Sequence, residues 1–98
     1  MNSKIRDWDP VNYLTSDEEI TSYLDAALED GDPSLVAAAF GDVARARGMT
    51  FVAETTGKSR ENLYRSLSEK GDPQISTLFS VADALGYRFR VEKAEGHA

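Results

Sequence analysis

The sequence predicts an all-α domain of five short helices followed by one short C-terminal β-strand. Three observations predict it. Apolar residues recur at helical spacing in successive windows, each window is bounded by a capping residue or a glycine, and strict period-two alternation occurs in one place, residues 87–92. With 98 residues, 41% hydrophobic and 29% charged, the chain fits one domain with a modest core and leaves no room for a second.

Residues 1–14 carry a Trp, a Pro and several charges without periodicity, and read as an extended N-terminal arm; residues 15–98 read as the domain. Ser16-Asp17-Glu18-Glu19 is a capping box, in which hydroxyl and carboxylate satisfy each other's orphan amides. Ile20, Tyr23, Leu24, Ala27 and Leu28 then form one apolar stripe that ends near Gly31. Asp32-Pro33 opens a second helix, since Asp caps and Pro suits the first turn. Its apolar face is Leu35, Val36, Ala39, Phe40, Val43 and Ala44, and Gly48 stops it. A third helix starts at or beside Thr50 and ends at Gly57; Ser59 caps a fourth that runs to about Leu67. After the loop Gly71-Asp72-Pro73, Ser76 or Thr77 opens a fifth, with Leu78, Val81, Ala82 and Leu85 on one side and Gly86 at its end. Tyr87-Arg88-Phe89-Arg90-Val91-Glu92 alternates as a half-buried strand does. One strand cannot satisfy its own ladder, so this one needs a partner from another chain.

Several chemistries are argued against. No Cys is present, which removes disulfides, thiolate metal sites and Cys nucleophiles and suits a reducing cytoplasm. The longest apolar runs, such as residues 35–40, are far too short to span a membrane, and the N-terminus leads into no signal core. His97 is the single histidine and lies in the tail, which argues against a metal site or a His-based triad. Gly57-Lys58-Ser59 imitates the end of a phosphate-binding loop, but the Gly required five positions earlier is Val52. No enzyme activity, cofactor or small-molecule substrate is therefore expected.

The net charge of −6 is unevenly spread. Residues 1–48 hold ten acidic and four basic side chains, whereas residues 49–98 hold seven of each, so the whole excess is N-terminal. Lys58, Arg60, Arg65 and Lys70 make residues 58–70 locally basic. An acidic half and a basic face suggest two kinds of partner.

The basic face coincides with a helix-turn-helix pattern over residues 49–68. Two helices crossing steeply at a short turn need a small residue at the contact, a turn residue with positive φ, and apolar anchors. Ala53, Gly57 and the set Val52, Leu63 and Leu67 supply them. Thr50, Lys58, Ser59, Arg60, Glu61, Asn62, Arg65 and Lys70 are then the candidate DNA-binding residues, a hydrogen-bonding set suited to base edges and phosphates. A plainer alternative is that Glu61 and Arg65, spaced i, i+4, form a surface ion pair. Lys58 and Ser66 stand at positions that are often apolar in the motif.

Residues 14–20, 23–33, 41–50, 54–68, 71–73 and 84–87, with the strings ARARGMT and SRENLYRSLS, resemble the addiction-module antidote proteins, antitoxins with a lambda repressor/Cro-like helix-turn-helix. The resemblance covers nearly all of the chain from about Pro10. It implies a type II toxin-antitoxin module in which the antitoxin neutralises a small protein toxin of the RelE/ParE type and represses its own operon, with residues 59–67 as recognition helix. At Phe51 relatives often carry Gln, so this chain departs from the pattern near the DNA backbone. A repressor without a toxin and an interaction module that has lost DNA binding are the alternatives.

Two further expectations follow. Toxins that handle phosphate tend to be basic, so the acidic half is the expected toxin surface. Asp7, Asp9, Asp17, Glu18 and Glu19 would steer the toxin, and Trp8, Tyr13 and Tyr23 would supply apolar area. The chain is also expected to be a homodimer whose seam is the C-terminal strand, through Tyr87, Phe89 and Val91.

Overall fold

In a computed structural model that describes residues 9–95, four α-helices pack around a central fifth. A 3-10 turn, Pro10–Tyr13, precedes α1 (Asp17–Asp30), α2 (Pro33–Arg47), α3 (Met49–Thr56), α4 (Arg60–Ser66) and α5 (Ile75–Ala84). Helix α2 is the spine: it meets the turn, α1, α3, α4 and α5, while α3 also touches α4 and α5. The largest fully buried side chains are Phe40 and Val43 on α2, Val52 on α3, Leu63 on α4 and Val81 on α5, so one core joins four helices.

Local chemistry sets the ends of most of these helices. Ser16 Oγ accepts from the Glu19 N–H at 3.2 Å. The Glu19 carboxylate does not return to Ser16 in the main; it takes the Thr15 N–H and hydroxyl at 3.1 and 2.8 Å, one residue further out than the capping box predicts. Asp32 accepts from the Ser34 N–H at 2.9 Å, and Ser59 from the Asn62 N–H at 3.0 Å. Gly31 and Gly57 end α1 and α3 in the left-handed conformation, at φ 84° and 77°. Helix α5 starts at Ile75, ahead of both Ser76 and Thr77, and its N-cap Gln74 makes no side-chain cap bond.

The predicted inner faces hold with two exceptions. Leu28 and Leu35 are 45% and 43% exposed, while Ala37 and Gly41, outside the predicted stripe, are buried. At Gly41 the reason is close approach: a Cβ there would fall on the Leu67 carbonyl oxygen, so a glycine lets α2 and the end of α4 touch.

The predicted C-terminal strand is not formed. No strand occurs among the described residues, and residues 87–94 run without regular structure. Period-two alternation signals a two-faced segment, not a ladder, and here no second strand is present to pair with. The inward residues face helices instead. The Tyr87 N–H donates to the Ala82 carbonyl at 2.8 Å, and its hydroxyl shares a 2.8 Å hydrogen bond with Thr21. The Phe89 ring lies between Phe40 and Phe79, at centroid distances of 5.8 and 5.4 Å. Tyr87 and Phe89 are thus used within the chain, and of the proposed seam only Val91, 98% exposed, is left outside.

Candidate nucleic-acid interface

Helices α3 and α4 lie within residues 49–68, joined by a short turn at Gly57 and packed against each other. Val52 and Leu63 are fully buried, and Ala53 and Leu67 nearly so. Gly57 makes the turn with positive φ, which a side chain would strain. Thr56 braces it from inside: its hydroxyl donates to the Val52 carbonyl at 2.8 Å and accepts from the Lys58 N–H at 3.3 Å. Lys58 is half-buried at this brace, and the Ser66 hydroxyl is buried without a hydrogen-bond partner among the described residues.

With the anchors facing inward, Ser59, Arg60, Glu61, Asn62 and Arg65 are exposed, as are Thr50 and Lys70. Arg60 Nη1 donates to Thr50 Oγ1 at 3.1 Å, which joins the first turn of α3 to the first turn of α4. Glu61 and Arg65 do not pair: among the described residues Arg45 alone makes ion pairs with carboxylates. The cations of α4 are therefore not neutralised by the i, i+4 partner that spacing suggested.

The sequence reading missed Arg47. Its guanidinium lies 4.1 Å from the centroid of the Phe51 ring, across the α2–α3 junction at Gly48. An i, i+4 cation–aromatic spacing was visible, but the helix break between the two residues concealed it.

The residues proposed to meet a toxin divide differently. Asp7 and Trp8 lie outside the described residues. Asp9 and Tyr23 belong to a polar network that docks the 3-10 turn. Arg45 forks onto Asp9 at 3.0 and 2.9 Å, also donates to Asp42 at 2.9 Å, and the Tyr23 hydroxyl donates to Asp42 at 2.6 Å. Asp17 and Glu18 are exposed on the first turn of α1, and Glu19 is held by Thr15. An open groove of about 600 Å³ runs here, lined by Tyr13, Leu14, Glu18, Glu19, Ser22 and Tyr23.

The network leaves a titration signature. The Arg45 hydrogen bond, helped by the Val11 N–H, holds the Asp9 carboxyl below its usual value of 3.8, and Thr15 holds Glu19 below 4.5. Burial first and Asp42 second push the Tyr23 hydroxyl up, and the bond to Asp9 holds Arg45 above its ordinary range. For carboxyls depressed in the folded state, the stabilisation is complete above their unfolded values and is lost as pH falls through the folded ones. Asp9→Asn combined with Glu19→Gln is expected to lower the thermal midpoint at neutral pH and to flatten its decline between about pH 5 and pH 3, read by circular dichroism. Parallel curves for variant and wild type would refute this.

Among the described residues no His, Cys, Asp and Glu cluster could hold a metal, and no helix is long and apolar enough to cross a membrane.

A family model described as "probable addiction module antidote protein" matches residues 4–93. A Haemophilus influenzae protein described as uncharacterized is 40% identical over 94 residues, which cover 96% of this chain and 97% of that protein. No solved structure matches significantly.

Proposed function

The chain belongs to the family of probable addiction module antidote proteins, and from that membership we propose that it is a cytoplasmic antitoxin that binds a small basic protein toxin and represses its own operon as a two-fold DNA-binding dimer. The observation that carries the DNA half is the exposed face of α4. Arg60, Asn62 and Arg65 stand outward while Leu63 and Leu67 lock the helix to the core, which is how a recognition helix offers side chains to a major groove. Both activities are binding events and need no catalytic group.

For the toxin half, the acidic groove beside α1 has the charge that a basic partner requires. Glu18 supplies field at its wall, with Asp17 beside it in the first turn of α1, and Tyr13 supplies exposed ring surface. Asp9, Glu19 and Tyr23 shape this surface through the bonds that hold them, so they serve it as scaffold. For the dimer, Ile75 and Phe79, 69% and 58% exposed one turn apart on α5, offer apolar area to a second copy. A reader of a palindrome must place two recognition helices about 34 Å apart, which a single α4 cannot do.

One experiment tests the whole reading. The protein is titrated onto a duplex from upstream of its own gene, with and without the product of the adjacent reading frame, and the complexes are sized by light scattering. The expected results are an operator complex with two protomers, binding that weakens steeply with salt, and a larger complex when toxin is added. Binding of the toxin with no affinity for any duplex would leave an interaction module without a DNA role; operator binding with no complex at the adjacent product would leave a repressor alone.

A further inference from the structure

We propose that Arg47, presented by the ring of Phe51, is a contact for the phosphodiester backbone of duplex DNA beside the recognition helix. The inference rests on the reading of α3 and α4 as a DNA-binding unit and adds a residue from the preceding helix to it. Its ground is a contrast between two arginines two positions apart. Arg45 is consumed by the fold, forked onto Asp9 and bonded to Asp42. Arg47, the last residue of α2, is exposed and meets no carboxylate among the described residues; its contact is the face of Phe51 at 4.1 Å.

Phe51 is itself anomalous as a structural residue. It is 37% exposed and absent from the core, so burial does not account for a large ring at this point. What the ring does is hold a guanidinium. Stacking restricts a long side chain before any ligand arrives, so less ordering remains to oppose binding, while the outward edge keeps its N–H donors open to an anion. Placement then names the ligand. Phe51 follows Thr50, and the Thr50 hydroxyl holds Arg60 from the start of α4. Two cations, Arg47 from the end of α2 and Arg60 from α4, therefore lie against the exposed residues Phe51 and Thr50 of the first turn of α3, both fixed by neutral partners. A pair of cations set along an edge, uncompensated by acids, fits successive phosphates of one strand; a basic toxin would be repelled there.

The test measures affinity for the upstream duplex and for a scrambled duplex of equal length, between about 50 and 300 mM salt. The proteins are wild type, Arg47→Ala, Phe51→Ala and the double variant, each checked by its melting curve. Arg47→Ala is expected to weaken both duplexes by a similar factor of about five to ten and to reduce the slope of log affinity against log salt by about one. Phe51→Ala keeps the charge but not its support, so affinity should fall about two- to fivefold with the slope intact. The double variant should bind no worse than Arg47→Ala, because the ring acts through the arginine. If wild type binds the duplex and Arg47→Ala keeps its affinity and slope, the assignment of Arg47 is overturned while the DNA reading stands. Additive losses in the double variant would overturn the role of Phe51. A wild type that binds neither duplex would overturn the DNA reading and this inference with it.

Discussion

Gly41→Ala is expected to destabilise the fold by about 3 kcal/mol and to lower its thermal midpoint by roughly 12–24 °C. Alanine is the better helix former by about 1 kcal/mol, so local propensity alone predicts the opposite sign. The packing decides. A methyl at residue 41 meets the carbonyl oxygen of Leu67 and its own Cβ, and a backbone carbonyl cannot turn aside as a side chain can. Leu67 closes α4, with its N–H on the Leu63 carbonyl at 2.9 Å, so relief requires moving α4 off α2. Gly31→Ala is the control. That glycine has φ 84° but nothing within 4 Å of a new Cβ, so only the left-handed strain applies, at about 1 kcal/mol. Denaturant melts of the two variants separate the causes. A Gly41→Ala protein as stable as wild type would show that α2 and α4 do not approach so closely.

Gly41 also illustrates what a sequence conceals. Within α2 it reads as a weak point in an apolar helix, and only the position of Leu67, far along the chain, turns it into a contact. The features that could be read directly were those whose partners lie within four residues: the caps at Ser16, Asp32 and Ser59, the turns at Gly31 and Gly57, and the stripe Leu78, Val81, Ala82 and Leu85. The same period that placed that stripe gave no account of Ile75 and Phe79, which flank it on α5 and stand exposed. Asp9 was read as a steering charge because the sequence around it is acidic, yet its partner Arg45 lies 36 positions away. Residues 87–92 failed for a related reason. Alternation records which side of a segment is apolar, and Phe89, 38% exposed, meets that demand in part against the rings of Phe40 and Phe79 without a sheet.

The second large effect is expected at α4 itself. Replacing Arg60 and Arg65 together by alanine should weaken operator binding by about 3 kcal/mol, near a hundredfold, with the melting curve almost unchanged. The small change in stability follows from exposure: neither guanidinium is paired with a carboxylate among the described residues, and surface substitutions of this kind rarely exceed about 0.5 kcal/mol. The loss in affinity should divide between the two. Arg60 belongs to the N-terminal turn, which would enter a groove first if α4 is a recognition helix, and its bond to Thr50 keeps it near the backbone of α3. Arg65 sits one turn further on, at the end of the helix, on the same outward side as Glu61 and clear of Leu63 and Leu67. A residue that reads a base edge loses discrimination when truncated, so the ratio of operator to scrambled affinity falls; one that meets phosphate weakens both duplexes equally and flattens the salt dependence. Comparing the single variants on both duplexes assigns each arginine to one class. Operator affinity unchanged in the double variant would remove α4 from the DNA interface.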